Sequence, residues 1–199
     1  MLTVCGSLQQ RSTNRLLLDV AVAAVAGDGE VTVVDFDGLR DLPAFDPDLT
    51  DVVPRAVEHW FARLAEAGTV LFACPEYAGA LAGSTKNALD WAVGASSLYR
   101  KPVAVMSAGT SGGAHALAQM VQTLTWQGAH VVGTLGVAAP RTKLGPDGTL
   151  TDPDTRAAVA ALARRLVGFP ELAAERRMAS VHDTVVAAGI DPVHIAPFT

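Results

Sequence analysis

The chain has 199 residues, enough for one well-buried domain and too few for two of ordinary size. Half of them are hydrophobic and only 18% are charged, which suits a parallel sheet covered on both faces with apolar surface to spare for an oligomer interface. The net charge of −5 contains no basic block, which argues against nucleic-acid binding, and charged residues interrupt every apolar stretch of membrane-spanning length.

Strand and helix patterns alternate along the chain. Leu2–Cys5 reads as an apolar strand, and its early start is expected to leave no room for a signal peptide. A hydroxyl- and amide-rich loop follows, with Ser12 as candidate N-cap of a helix over Arg15–Ala26 that Gly27 closes. Next come a strand at Val31–Val34, a helix over Pro54–Ala67 closed by Gly68, and a strand at Val70–Ala73. A helix over Leu81–Val93, a strand at Val103–Met106, a helix over Ala114–Trp126 closed by Gly128 and a strand at Val131–Leu135 complete the series. Residues 136–154, rich in proline and glycine, predict a hairpin-like flap, and a fifth helix is expected over Asp154–Val167. The remainder, residues 169–199, reads as a tail with a helix over Glu171–Ala188, packed on the 1–168 domain or on a partner subunit. Five strands alternating with five helices argue for an α/β fold with a doubly wound parallel sheet, helices on both faces and right-handed crossovers. Two strand orders are common at this size, and the pattern alone fits both. The two cysteines, Cys5 and Cys74, lie in apolar strand-like runs and read as reduced thiols of a cytoplasmic protein.

In such sheets ligands sit beyond the carboxyl ends of the strands, so the loops there carry the functional reading. The first is Gly6-Ser7-Leu8-Gln9-Gln10-Arg11-Ser12-Thr13-Asn14. A loop of this kind aims backbone N–H groups at one spot near the positive end of a helix dipole, the arrangement a phosphate needs. Ser7, Ser12 and Asn14 add hydrogen-bond donors and Arg11 adds charge. The loop matches neither the dinucleotide-binding glycine pattern nor the P-loop. A plain alternative is that Ser12 only caps and Asn14 lies exposed. The second loop runs from Cys74 through Pro75-Glu76-Tyr77-Ala78-Gly79 to Trp91. Proline fixes its exit from the strand, glycines relax its turns, and its backbone can bond the polar edge of a flat heterocycle that Tyr77 could partly cover. The third, Ser107-Ala108-Gly109-Thr110-Ser111-Gly112-Gly113, is a glycine and hydroxyl turn before a helix.

Taken together these loops resemble those of the NADPH-dependent FMN reductase family, whose members include quinone, azo-dye and chromate reductases. Gly6-Ser7-Leu8 with Ser12 and Asn14 is similar to that family's phosphate loop. Pro75-Glu76-Tyr77 with Gly83, Lys86-Asn87, Asp90 and Trp91 is similar to its most specific signature, and Ser107-x-Gly109 with Gly112-Gly113 to its third loop. The likeness spans residues 2–167. It implies a flavodoxin-like sheet of order 2-1-3-4-5, one non-covalent FMN per subunit, NADPH or NADH as co-substrate, and a homodimer or homotetramer. It implies that Ser7, Ser12 and Asn14 hold the phosphate, with Gln9 and Arg11 beside them. Pro75, Glu76, Tyr77 and Ala78 would border the isoalloxazine, and Ser107 and Gly109 would meet it from the other side. The family often has Arg at the position of Gln9, Asn at Ala78, Pro at Ala82 and Leu at Thr85.

The activity so implied is hydride transfer from NAD(P)H through FMN to a small acceptor: a quinone, an azo compound, a metal oxyanion or free flavin. The flavin carries the chemistry, so no catalytic side chain is assigned. The rival reading is a flavodoxin-type electron carrier or a flavin-binding regulatory module; a carrier usually bears a strongly acidic face, and −5 is modest. The five histidines show no metal-ligand spacing, so no metal is expected. Cys74 is read as a small buried thiol, and Lys86, Asn87 and Asp90 as residues that fix the helix start or a subunit contact. Trp91 is read as core or interface.

Overall fold

Strands buried on both faces need unbroken apolar runs, and the centre of the sheet has them: β1 (Leu2–Cys5) and β3 (Val70–Ala73) are buried at every position. The computed structural model describes residues 1–28, 31–49 and 51–198. The main sheet also contains β2 (Val34–Phe36), β6 (Pro102–Gly109) and β7 (His130–Ala138), in the order β2-β1-β3-β6-β7 with every pair parallel. Counted along this sheet alone, that is the flavodoxin-like order 2-1-3-4-5. Helix α1 (Thr13–Val25) packs with α5 (Pro153–Gly168), while α2 (Arg55–Glu66) packs with α3 (Gly83–Ala95) and α4 (Ala114–Trp126) lies against β6 and β7. The buried Trp60 indole joins α2 to α3 by donating to the Ala88 carbonyl at 2.8 Å.

Three boundaries differ from the sequence expectation, each for a physical reason. The edge strand β2 begins at Val34, where the Val31–Val34 run was expected to end. Phe36 sets its register, because its ring fills the core 4.7 Å from Trp60 while Val34 stays exposed on the sheet edge. Strands β6 and β7 run on to Gly109 and Ala138, pairing up to Gly109↔Ala138 through glycines that weaken a strand signal. A short hairpin, β4 (Glu76–Tyr77) and β5 (Ala80–Leu81), occupies the ground before α3, so that helix starts at Gly83.

The tail folds back on its own chain. Helix α6 (Ala174–Ala187) buries Val181 and Val185 against β7. His130, at the start of β7, stacks on Phe198 with ring centroids 3.9 Å apart, and its Nε2 lies 3.1 Å from the Ala196 carbonyl. Among the described residues no helix is long and apolar enough to cross a membrane.

Candidate active site at the carboxyl edge of the sheet

The loops after β1, β3 and β6 meet at one edge, and the polar side chains there are shared between holding the loops and facing outward. Gly6 ends β1 so close to the start of α3 that a Cβ on it would lie 2.2 Å from Thr85 Oγ1. The neighbouring Ser84 hydroxyl donates to the Gly6 carbonyl at 2.8 Å. Glycine is therefore required where β1 turns into its loop.

Ser12 is the N-cap of α1, its Oγ accepting the Asn14 N–H at 3.2 Å, and the Ser7 Oγ accepts the Gln9 N–H at 3.3 Å. The Ser7 hydroxyl keeps its own proton free to donate, while the Ser12 hydroxyl is buried against the Cys5 thiol. Among the described residues the N–H groups of Gln10, Arg11 and Thr13 reach no protein acceptor, and the first turn of α1 holds no acid. Gln9 and Arg11 are exposed beside them. A ring of free N–H donors at a helix N-terminus, with a hydroxyl and a cation alongside, is a donor set that fits a phosphate. Arg15 is not part of it, being paired with Asp35 at 2.7 Å.

Asn14 has a different task from the one its loop suggested. It is buried, its Nδ2 donating to the Ala108 carbonyl at 3.3 Å and its Oδ1 accepting the Ala108 N–H at 2.9 Å. The last rung from β3 to β6 is the Cys74 N–H to the Met106 carbonyl at 2.9 Å. Two residues on, Ala108 faces the same side with no strand left to meet it, and the Asn14 amide takes that place. Its side chain thus stitches the phosphate-type loop to the third loop. Nothing in a linear reading points to a partner 94 positions away.

The second loop is the hairpin β4–β5. Its two-residue turn has φ +52° at Ala78 and +72° at Gly79, the both-positive pattern of a type I′ turn. Glu76 is committed to α4, its Oε2 accepting the N–H groups of His115 at 2.9 Å and Ala116 at 3.1 Å. Gln119 of α4 returns the contact by accepting the Leu81 N–H at 2.9 Å. So anchored, the hairpin leaves Tyr77 exposed at 57% and the N–H groups of Ala78 and Gly79 without a protein acceptor among the described residues. These can meet the polar edge of a flat ring. Pro75 is buried beneath.

In the third loop Ser107 is fully buried and its Oγ has no protein partner. A Cβ on Gly113 would lie 1.9 Å from that oxygen, and Gly113 has φ +72°, so only glycine closes the loop over Ser107. Gly109 is half-buried at the end of β6.

The residues around this edge act as supports. Asn87 accepts the Phe45 N–H at 2.7 Å and donates to the Pro43 carbonyl at 2.8 Å, and the Trp91 indole donates to the same carbonyl at 2.9 Å. The pair latches the segment around Pro43–Phe45 onto α3, while Lys86 and Asp90 pair with each other at 2.5 Å. Cys74 is completely buried, and desolvation pushes its thiol up to about 12, which leaves it protonated and unreactive. A hollow of about 710 Å³ lies at the far end of α3 and α4, beside Val93, Tyr99 and Trp126, and a larger one of about 780 Å³ adjoins the first loop, between Arg11, Asp19, Arg141 and Asp147.

The chain resembles known proteins over most of its length. A family model described as NADPH-dependent FMN reductase matches residues 1–143, a span that includes all three loops. An NAD(P)H:quinone oxidoreductase of Solanum tuberosum is 31% identical over 161 residues, covering 77% of this chain and 83% of that protein. An NAD(P)H-dependent FMN reductase of Pseudomonas aeruginosa is 33% identical over 135 residues, covering 65% of this chain and 71% of that one. Among solved structures, a flavoenzyme NAD(P)H:(acceptor) oxidoreductase of Paracoccus denitrificans superposes with a TM-score of 0.66 at 25% identity, covering 92% of this chain and 97% of that chain. With the family model spanning all three loops and these relatives alongside it, the chain belongs to the NADPH-dependent FMN reductase family as an FMN-dependent NAD(P)H oxidoreductase.

Proposed function

We propose that FMN lies along this edge, its phosphate on the Ser7–Asn14 loop and its ring between the Pro75–Leu81 hairpin and the Ser107–Gly113 loop. The observation that carries the reading is the set of donors at the start of α1 left unused among the described residues, the N–H groups of Gln10, Arg11 and Thr13, before a first turn with no acid to oppose an anion. Ser7 gives a hydroxyl donor, Gln9 an amide and Arg11 a charge, while Ser12 caps the helix whose N-terminus faces the phosphate. Asn14 is a positioning residue, holding the third loop at a fixed distance from the cradle. Glu76 likewise fixes the hairpin by capping α4, so that Tyr77 and the tip N–H groups of Ala78 and Gly79 face the ring. Ser107 supports the loop from below, and Gly109 leaves room beside the ring.

Bound FMN supplies the redox chemistry between NAD(P)H and the acceptor. The chain's own contribution is to hold and orient it, and to offer backbone donors where negative charge gathers on the ring edge. A small flat acceptor of the quinone type suits the open side at Tyr77, and the name of the potato relative, a quinone oxidoreductase, supports that choice over an azo compound or a metal oxyanion. The enzyme works as a homodimer or homotetramer in the cytoplasm. The exposed Val93, Tyr99 and Trp126, gathered at one end of α3 and α4, supply an apolar face for assembly.

The test is a visible spectrum of the purified protein with and without added FMN, followed by NADPH and then a quinone. The expected result is a bound flavin spectrum, bleached by NADPH and restored by the quinone with no partner protein present. FMN should bind more tightly than FAD, whose second phosphate extends past a monophosphate cradle. A protein that takes up no flavin would overturn the reading.

A further inference from the structure

The segment after β7 is built as a frame. The Ala139 N–H donates to the carbonyls of Gly109 at 3.1 Å and Thr110 at 3.3 Å, Ser111 bridges to Ala138, and the Thr142 hydroxyl turns back onto the Ala139 carbonyl at 2.8 Å. Farther along, Leu144 bridges to Leu150 and Lys143 pairs with Asp152 at 3.3 Å. On this frame Arg141 faces Arg11 across a cleft of about 400 Å³, whose other polar side chains are Gln9, Thr13, Thr110 and Thr142. This cleft has two cations, four neutral hydrogen-bonding side chains and no carboxylate; the same arginines border the neighbouring hollow of about 780 Å³, where Asp19 and Asp147 lie and neither is paired with them.

Neither arginine has a hydrogen bond or ion pair among the described residues, so both guanidinium groups are free to take a ligand, unlike the neighbouring Arg15 and Arg40. Two like charges that share a cleft, neither of them paired with a carboxylate, are drawn together by an anion placed between them. We infer that Arg11 and Arg141 form a phosphomonoester site that closes the flap onto the phosphate loop. A guanidinium pair matches the charge and the oxygen geometry of a terminal phosphate dianion. Two such groups reach this edge in an FMN enzyme that uses NADPH: the 5′-phosphate of FMN and the 2′-phosphate of the nucleotide. The inference rests on the flavin reading only so far as FMN is one of those two sources.

The experiment compares wild type with Arg141→Ala and Arg141→Lys, both at an exposed position. Affinities for FMN and riboflavin are read by flavin fluorescence, and those for NADP⁺ and NAD⁺ by calorimetry. The alanine variant should weaken one phosphomonoester, FMN or NADP⁺, by about 10- to 100-fold, as loss of a charge-assisted hydrogen bond predicts. Riboflavin and NAD⁺, which lack that phosphate, should bind unchanged, and lysine should restore part of the loss. A loss confined to FMN identifies the 5′-phosphate, and a loss confined to NADP⁺ identifies the 2′-phosphate. Unchanged affinity for both FMN and NADP⁺ overturns the site. If the wild type takes up no flavin at all, the flavin reading falls, while the NADP⁺ and NAD⁺ pair still decides the fate of the site.

Discussion

Replacing Asn14 by alanine removes both hydrogen bonds that hold Ala108. Each such bond is worth about 0.5–1.5 kcal/mol net, and each buried group left unpaired costs about 1–3 kcal/mol. Water can reach part of the opened loop, so the expected loss is about 2–4 kcal/mol, below the full sum. At a slope of about 2 kcal/mol per molar urea, the unfolding midpoint should fall by roughly 1–2 M. The measurement is made on flavin-free protein, because that separates a structural clamp from a cofactor ligand. Asn14→Asp sharpens the comparison. Its carboxylate still accepts the Ala108 N–H but sets a charged oxygen against the Ala108 carbonyl; protonation restores a donor. That variant should therefore be destabilised at neutral pH and recover relative to wild type on acidification. A flavin-free Asn14→Ala protein with the wild-type urea midpoint but lost FMN affinity would refute the clamp and make Asn14 a phosphate ligand.

Ala78→Asn should stabilise the protein by about 0.5–1 kcal/mol, since an alanine at φ +52° pays for a left-handed conformation that asparagine tolerates in a type I′ turn. A lower melting temperature for that variant would contradict the turn. Tyr77→Phe, fully loaded with FMN, should keep turnover within about tenfold of wild type, or about 1.4 kcal/mol of barrier. A thousandfold loss in the flavin-reduction half-reaction would instead make Tyr77 an acid. His130 is held neutral, because burial lowers its pKa more strongly than the contact with the Ala196 carbonyl raises it, and Arg100 and Arg177 lower it further. A folded-state pKa below the unfolded value of about 6.5 means the unfolded chain binds the proton first, so this stabilisation is present above that pH and is lost as pH falls below it. Thermal unfolding at pH 7.5 and 5.5 should show a smaller acid-dependent drop for His130→Gln than for wild type.

The centre of the fold was legible because its physics is simple. Val70–Ala73 and Leu2–Cys5 are buried on both faces, so their apolar runs mark them as strands without help from their surroundings. Ser12 announced the first helix through a local hydrogen bond that needs only its neighbours. The hairpin escaped notice because its turn is Ala78-Gly79, without the asparagine that signals a type I′ turn. The extra length of β6 and β7 was hidden in glycines whose strand character comes from pairing. At the site, the loops and their residue types could be read, but the division of labour among them could not. Asn14 serves a strand far away in sequence, Glu76 serves a helix, and Asn87 and Trp91 hold Pro43; each assignment depends on distances that only folding creates. Arg141 sat in a stretch of proline and glycine whose composition predicted a flap and gave no sign of a rigid frame.

The position of α6 against β7 gives the tail a protective role. A sheet of this order has two open borders, and an unpaired border strand can template strand addition by a second chain. At β2 the hazard is small, because that strand has three residues and carries Asp35. At β7 it is larger: nine residues, with His130–Gly133 buried. Residues 169–198 shield this stretch through Val181, Val185 and the Phe198 ring. A chain cut after Gly168 would keep its phosphate cradle and ring-facing hairpin, which lie at the carboxyl edge, and would expose a bare apolar border to other copies of itself. Its failure would appear first as concentration-dependent aggregation, with flavin affinity intact in whatever stays monomeric.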